Sequence, residues 1–320
     1  MEGKYFCTKD DVRSTLDKYG VAVVPNVLSP KELEEMRDGM FSYLEYITQN
    51  FEVPIDRNDS KTYKEYFNIL PNRGMLMQFW QIGHAQFVWN LRQNPKIAEI
   101  FARIWDCTPE ELLVSFDGAS FHFPPEITNR GKFREYWYHT DQSPTRPNFE
   151  CVQSWVTAYD VNEGDATLAF IECSNRYHEN FAKDYEITSP SDWNPLSDDE
   201  VLYYTEYLGL PEKKITCPAG SMVFWDSRTV HCGVQSTQYR TRQNFRNVVY
   251  ICMTPRAWAT EATLLKKQKA VEELRMTNHW AHRPSLFGKY PHTYGGELPD
   301  IKEITSLPEL SELGKCLAGY

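Results

Sequence analysis

The 320-residue chain has no C-x-x-C pair among its eight cysteines and no excess of positive charge. It also has no run approaching the ~18 apolar residues of a membrane helix. Each absence narrows the reading. The cysteines (7, 107, 151, 173, 217, 232, 252 and 316) are scattered, several of them inside apolar runs. There they behave as small hydrophobes, which points to a reduced compartment rather than a disulfide scaffold or zinc ribbon. With 34 basic and 44 acidic residues the formal charge is −10, a surface that repels phosphate polyanions, so no nucleic acid is expected as a partner. The opening Met-Glu-Gly-Lys-Tyr-Phe-Cys has no apolar stretch behind a basic region, and the closing Leu-Ala-Gly-Tyr is not a Ser-Lys-Leu address. A cytoplasmic protein without a membrane segment is expected. Repeats, low-complexity tracts and Gly/Ser linkers are missing too, which favours one continuous domain over 1–320. What is present, 41% hydrophobic and 24% charged residues, suits a globular chain long enough for a full core.

Residues 1–110 read as helical support. Thr8, with Asp11 three residues on, opens a short helix closed by Gly20, and Val21–Val24 is a buried-strand run. Ser29, Pro30 and Glu32 supply an N-cap, a first-turn proline and a capping-box glutamate for a helix with Leu33, Met36, Met40, Leu44 and Ile47 on its core face. Asn94-Pro95 starts another helix. From about 112 to 256 short β-like segments dominate (112–123, 151–158, 166–171, 221–225, 246–253), with a helical insertion at about 197–209. Residues 257–320 hold a last charged helix (259–276), read as a solvated face, and a Pro/His/Tyr-rich tail. The pattern is α+β with a mainly β core: a double-stranded β-helix, or jelly roll, buttressed by N-terminal and C-terminal helices.

Chemistry concentrates in Trp137-Tyr138-His139-Thr140-Asp141-Gln142. In extended chain, residues two apart share a side, so His139 and Asp141 can act as adjacent ligands. Eight histidines and 17 aspartates give about 0.4 H-x-D tripeptides by chance, so the motif alone also fits a loop histidine beside a capping aspartate. A second segment, Gly220 to Gly233, delivers His231 at the end of a strand; adjacent Cys232 points the other way. A jelly roll brings such distant strands together, and two histidines plus one carboxylate on one face is the facial triad of non-haem Fe(II) oxygenases. A third element is Arg246, heading the apolar run Arg246-Asn-Val-Val-Tyr-Ile-Cys-Met253. A guanidinium there needs an anion, either an internal carboxylate or the distal carboxylate of 2-oxoglutarate. Arg240 and Arg242 compete with it as anchors.

The order H-x-D, the Asp160–Leu168 segment, a distal histidine and an Arg-headed strand resembles the phytanoyl-CoA dioxygenase-like family of Fe(II)/2-oxoglutarate oxygenases over roughly residues 15–256. Gly20-Val-Ala-Val-Val-Pro-Asn-Val-Leu-Ser-Pro30 is similar to the family's opening strand and helix, and Gln142 after the aspartate is family-like. The chain departs at Glu172-Cys173-Ser174-Asn175, where the family usually has Pro-Gly-Ser-His. Arg242 follows His231 by the family's usual eleven residues and Arg246 by fifteen, but the strand after Arg246 matches, and a short loop insertion costs little. The resemblance implies Fe(II) held by His139, Asp141 and His231, with 2-oxoglutarate reaching Arg246 and O2 as co-reactant. It also implies a hydroxylated C–H bond, coupled to loss of CO2 and formation of succinate. Relatives that halogenate lack the carboxylate, so Asp141 makes hydroxylation the expectation.

Gln153 and Trp155 share a strand face that can line the cosubstrate pocket. His122 sits where relatives place cosubstrate or substrate contacts, and is equally a hydrogen-bonded core histidine; Ser120, Tyr138 and Thr157 are weaker candidates. Trp137, Trp225 and Tyr136 are candidates for a substrate wall. The His279-Trp-Ala-His282 pair has no third ligand and reads as a structural tail packed over the barrel. Loops 56–80, 124–136 and 184–212 are expected to shape the pocket. The substrate is expected to be a small organic molecule, such as an amino acid or related metabolite. The rivals are a non-catalytic jelly-roll binder with a vestigial site and an oxygenase acting on a protein side chain. Acyl-CoA needs a basic phosphate site that nothing marks.

Overall fold

A computed structural model describes residues 3–130, 136–237, 240 and 242–320. Its strands in chain order are β1 (Val21–Val24), β2 (Leu76–Met77), β3 (Leu112–Val114), β4 (Ala119–His122), β5 (His139–Thr140), β6 (Val152–Thr157), β7 (Thr167–Ile171), β8 (Asn194–Pro195), β9 (Glu212–Lys214), β10 (Met222–Asp226), β11 (His231–Val234) and β12 (Arg246–Pro255). They form two antiparallel sheets: a large one ordered β1-β10-β6-β12-β4-β2, with β3 on the far end of β12, and a small one ordered β8-β5-β11-β7-β9. The sheets face each other in the jelly-roll manner without closing into a continuous barrel.

Period-two alternation decides which side chain goes where. On the large sheet Ala22, Val24, Val152, Val156, Met222, Phe224, Val249, Ile251 and Met253 turn outward into a core shared with the helices. Val21, Val23, Trp155, Val223, Trp225 and Val248 turn inward against Leu168 and Phe170 of the small sheet. By the same parity Arg246 and Tyr250 point inward with Val248.

The helices are started by local chemistry. The Ser29 capping box forms, with the Ser29 N–H donating to Glu32 at 2.7 Å, and Met36, Met40, Tyr43, Leu44 and Ile47 of Pro30–Ile47 are buried. Asn94 caps Pro95–Trp105 through the Lys96 N–H. The first helix runs Val12–Tyr19 with Asp11, not Thr8, at its N-cap; the Thr8 hydroxyl donates to the Asp11 carboxylate instead.

Three expectations need correction. The 112–123 segment is two strands, and at Gly118, between them, the Met77 carbonyl leaves no room for a Cβ. The last long helix spans Glu261–Glu272 and is not simply solvated: Lys267, Ala270 and Val271 are buried, with Lys267 Nζ donating to the Val114 carbonyl at 2.6 Å. The tail ends in a further short helix, Glu312–Ala318. Among the described residues no helix is long and apolar enough to cross a membrane.

Candidate metal centre

His139 and His231 meet because β5 and β11 pair with these two residues directly opposite, which brings their ring centroids to 4.3 Å. Asp141 leaves β5 in a bend fixed by its N–H donating to the Ser227 carbonyl at 3.0 Å. Its Oδ2 lies 3.5 Å from His139 Nε2 and 3.4 Å from His231 Nε2, and the three candidate ligand atoms all fall within 4.8 Å of one another.

The surroundings set the tautomers. His139 Nδ1 lies 3.0 Å from the Trp137 carbonyl and His231 Nδ1 2.9 Å from the Thr229 carbonyl. A carbonyl only accepts, so each Nδ1 carries a proton and each Nε2 is turned toward the carboxylate. The Trp225 indole N–H donates to His231 Nε2 at 3.1 Å, which requires a lone pair there. Burial, then the neighbouring His139, holds the His231 pKa below its ordinary value, so the ring is neutral. Burial alone would raise the Asp141 pKa, but the facing histidines, His139 foremost, hold it well below the carboxylate range. Gln153 steadies that carboxylate, its amide donating to Oδ2 at 2.9 Å. Trp137 stacks on His139 at 4.7 Å and 9°.

The triad opens into a cavity of about 720 Å³ that also receives Gln153, Trp155, Trp225, Arg246 and Tyr250 from the inner face of the large sheet. Arg246 is 4% exposed. Its Nε donates to Ser120 Oγ at 3.1 Å and Nη1 to the Ala166 carbonyl at 3.3 Å, and among the described residues no carboxylate lies within ion-pair distance of it. Among the described residues the buried Trp155 indole N–H has no partner, and the guanidinium sits 5.3 Å from that ring. The competing arginines lie elsewhere: Arg240 is paired with Glu126 and Asp165, and Arg242 is exposed.

Other expected residues are placed outside the cavity lining. His122 stands opposite Arg246 on β4, bonded to Ser236 Oγ at 3.1 Å, its pKa lowered to about 3 by burial. The Tyr138 hydroxyl bonds Glu212 and the Thr157 hydroxyl the Tyr159 carbonyl, while Tyr136 is exposed and stacked on Tyr138. In place of the Pro-Gly-Ser-His turn, Ser174 Oγ accepts the Val230 N–H at 2.8 Å, bracing the strand that carries His231. The three loops contribute unequally: Arg73, over Trp137 at 4.9 Å, comes from 56–80, and Trp193, 4.4 Å from the His139 ring, from 184–212. Residues 131–135 of the 124–136 loop lie outside the described residues.

Sequence reasoning missed the tail. Asn278 and His279 line the cavity, and His279 Nε2 lies 3.2 Å from the Asp141 carbonyl oxygen. His282 bonds the Thr254 hydroxyl, as a packing residue does. The H-x-x-H spacing was visible, but nothing in it tells which histidine turns toward the site. Asp117, between β3 and β4, was also missed; it lines the same wall.

The sequence profile of the phytanoyl-CoA dioxygenase family (PhyH) matches residues 16–247. The chain belongs to this family. A curated relative, Ava biosynthesis cluster protein O of Aspergillus versicolor, is 26% identical over 282 residues, covering 85% of this chain and 86% of its own. Among solved structures, a hypothetical protein from Escherichia coli is similar with TM-score 0.61 and 14% identity, over 99% of this chain and 85% of that one. A putative oxidoreductase from Salmonella typhimurium LT2 gives 0.60 and 16%, over 97% and 82%. These two likenesses concern the fold. As a PhyH member with a His-Asp-His cluster, the protein is a non-haem iron oxygenase-type enzyme that uses Fe(II), 2-oxoglutarate and O2. The residues present fit those groups: the Nε2 atoms of two histidines and a carboxylate oxygen face one point. On the same cavity wall stand the Arg246 guanidinium, with no carboxylate partner among the described residues, and the Trp155 indole N–H, which suit an anion.

Proposed function

We propose that this PhyH protein hydroxylates a C–H bond of a small organic molecule, coupled to conversion of 2-oxoglutarate to succinate and CO2. The observation that carries the reading is the pairing of β5 with β11, which sets His139 and His231 beside Asp141 in a cavity that Arg246 also lines. The A. versicolor relative is named for a biosynthesis cluster, which supports a small-molecule substrate. The Asp141 carboxylate supports hydroxylation as the outcome.

Each residue has a role its surroundings explain. His139, Asp141 and His231 would hold the iron through three neighbouring ligand atoms that line the cavity. The Trp137 and Thr229 carbonyls fix the imidazoles, and Gln153 orients the carboxylate. Arg246, its Nε tied to Ser120 so that the fork keeps one orientation, receives the distal carboxylate of 2-oxoglutarate, and Trp155 offers its N–H to the same anion. When bound, iron and 2-oxoglutarate would supply the oxidising chemistry with O2; the protein supplies position and, through Trp137 and Trp225, an aromatic wall beside the triad.

The test is succinate release from 2-oxoglutarate with Fe(II) and O2, on wild type, His139→Ala and Arg246→Ala, alone and with pools of small metabolites. The reading expects turnover that metabolites raise, lost in His139→Ala and weakened mainly through 2-oxoglutarate affinity in Arg246→Ala. No succinate from wild type under any pool would overturn it and leave a jelly-roll binder.

A further inference from the structure

We propose that the buried Cys151–Cys252 thiol pair is a redox modification site: a small hydroperoxide converts it to a disulfide that loosens the metal centre, and reduction restores it. The proposal rests on the reading of His139, Asp141 and His231 as the metal ligands and adds a regulation of that same site.

Contact is the first argument. All eight cysteines are free, and the Sγ atoms of Cys151 and Cys252 lie 3.5 Å apart; among the described residues no other two thiols touch. Parity puts both on the inner face of the large sheet. Cys252 follows Arg246 and Tyr250 along β12, directly opposite Gln153, and Cys151 precedes Gln153 and Trp155 on the β6 side. The two are 0% and 2% exposed and pack with Trp280, whose ring belongs to the cavity lining. One indole therefore separates the pair from the cavity, a barrier that admits a small oxidant and excludes one the size of glutathione. Burial opposes ionisation of Cys151, but the Cys252 thiol and then His279 hold its pKa below the ordinary value, which makes Cys151 the attacking sulfur. With hydrogen peroxide, the Cys151 thiolate breaks the O–O bond, becoming a sulfenic acid and releasing water. The Cys252 sulfur then displaces the sulfenic oxygen as a second water, so the sulfurs lose two electrons and the peroxide gains them.

Linkage to the metal centre is the second argument. Cys252 is fixed: it sits inside the β6–β12 ladder, and its carbonyl accepts the Ser115 N–H at 2.9 Å. Cys151 stands just before β6 begins, so the movement that takes the sulfurs from 3.5 Å to the about 2.05 Å of a disulfide falls on it. The Cys151 carbonyl accepts the Ser227 N–H at 3.1 Å, and the Ser227 carbonyl accepts the Asp141 N–H at 3.0 Å. Gln153, two residues along the chain from Cys151, holds the Asp141 carboxylate. A shift of Cys151 is thus passed through two hydrogen bonds to the main chain of Asp141, and through Gln153 to its side chain. His139 and His231 stand on β5 and β11, which carry neither thiol, so Asp141 is the ligand that is displaced.

The test starts from metal-free protein, so that no reaction between iron and peroxide intervenes. The protein is treated with hydrogen peroxide, freed of it, mapped by peptide mass, and titrated with Mn(II) in the presence of 2-oxoglutarate. Wild type should show a Cys151–Cys252 disulfide and a Mn(II) affinity lowered at least about tenfold, with dithiothreitol restoring both. Cys151→Ala and Cys252→Ala should bind Mn(II) as reduced wild type does, before and after peroxide. The proposal is overturned if both cysteines stay thiols while the partly exposed Cys173 is oxidised. A disulfide that leaves Mn(II) affinity unchanged overturns it too, as does a loss of affinity equally large in the two variants. Should a variant fail to fold, the peptide map and the dithiothreitol reversal on wild type decide alone. Failure of reduced wild type to bind Mn(II) is a different result, told apart because the map reads the disulfide without metal, and strikes the reading of the site itself.

Discussion

The two faces of the large sheet are built from the same strands and differ in nearly everything else. Outward, Val152, Val156, Phe224, Val249 and Ile251 form a close-packed apolar layer under the helices. Inward, one residue away along each strand, come Gln153, Trp155, Trp225, Arg246 and Tyr250, polar or half-polar groups around a cavity. One face supplies the burial that holds the sheet in place, and the other can therefore carry a guanidinium with no carboxylate partner among the described residues and an indole N–H with none, which would be destabilising in a softer scaffold. The lesson is that stability and chemistry are separated here by a single residue of register.

Substitutions can break that division. The largest effect is expected from His231→Ala: succinate formation falls well beyond the 10–100-fold typical of an outer-shell change, while the melting temperature moves little. On the opposite face, Phe224→Ala should cost about 3–5 kcal/mol of stability in a denaturant titration and leave the 2-oxoglutarate Kd of the folded protein unchanged. Arg246→Met should raise the 2-oxoglutarate KM about a hundredfold, with kcat changed much less at saturation.

The helix side has its own buried cation, which sharpens the comparison. Burial lowers the Lys267 pKa from 10.5 to about 7. The unfolded chain keeps the proton that the folded protein loses, so Lys267 makes stability rise with pH from about 7 towards 10.5. Between pH 7 and 9, wild type should gain on Lys267→Met by on the order of 2 kcal/mol in paired urea melts, and a pH-independent gap would contradict this. The smallest effect is expected from Gln153→Ala, about tenfold in iron affinity with no change in fold.

Much of this was legible beforehand. The Ser29 and Asn94 caps are local signals, and both helices start where those residues stand. His139, Asp141 and His231 were singled out because H-x-D and a strand-borne histidine are short patterns, and Arg246 because a guanidinium heading an apolar strand demands a partner; the structure brings the first three together and sets Arg246 on the same cavity wall. What stayed hidden depends on long-range placement. His279 lies 138 residues from Asp141 in sequence, and Asp117 sits in a turn whose neighbours come from the tail. Lys267 lies in a strongly charged helix, and only the packing against Val114 and Phe116 shows it to be buried.

The central claim, that the β5–β11 pairing builds an iron and 2-oxoglutarate site, is tested most directly by anaerobic titration of the protein with Fe(II) and then 2-oxoglutarate, followed by visible absorption. The account predicts a charge-transfer band saturating at one iron per chain, absent in His231→Ala and requiring far more 2-oxoglutarate in Arg246→Met. No band in wild type at saturating 2-oxoglutarate, or an undiminished band in His231→Ala, would contradict it.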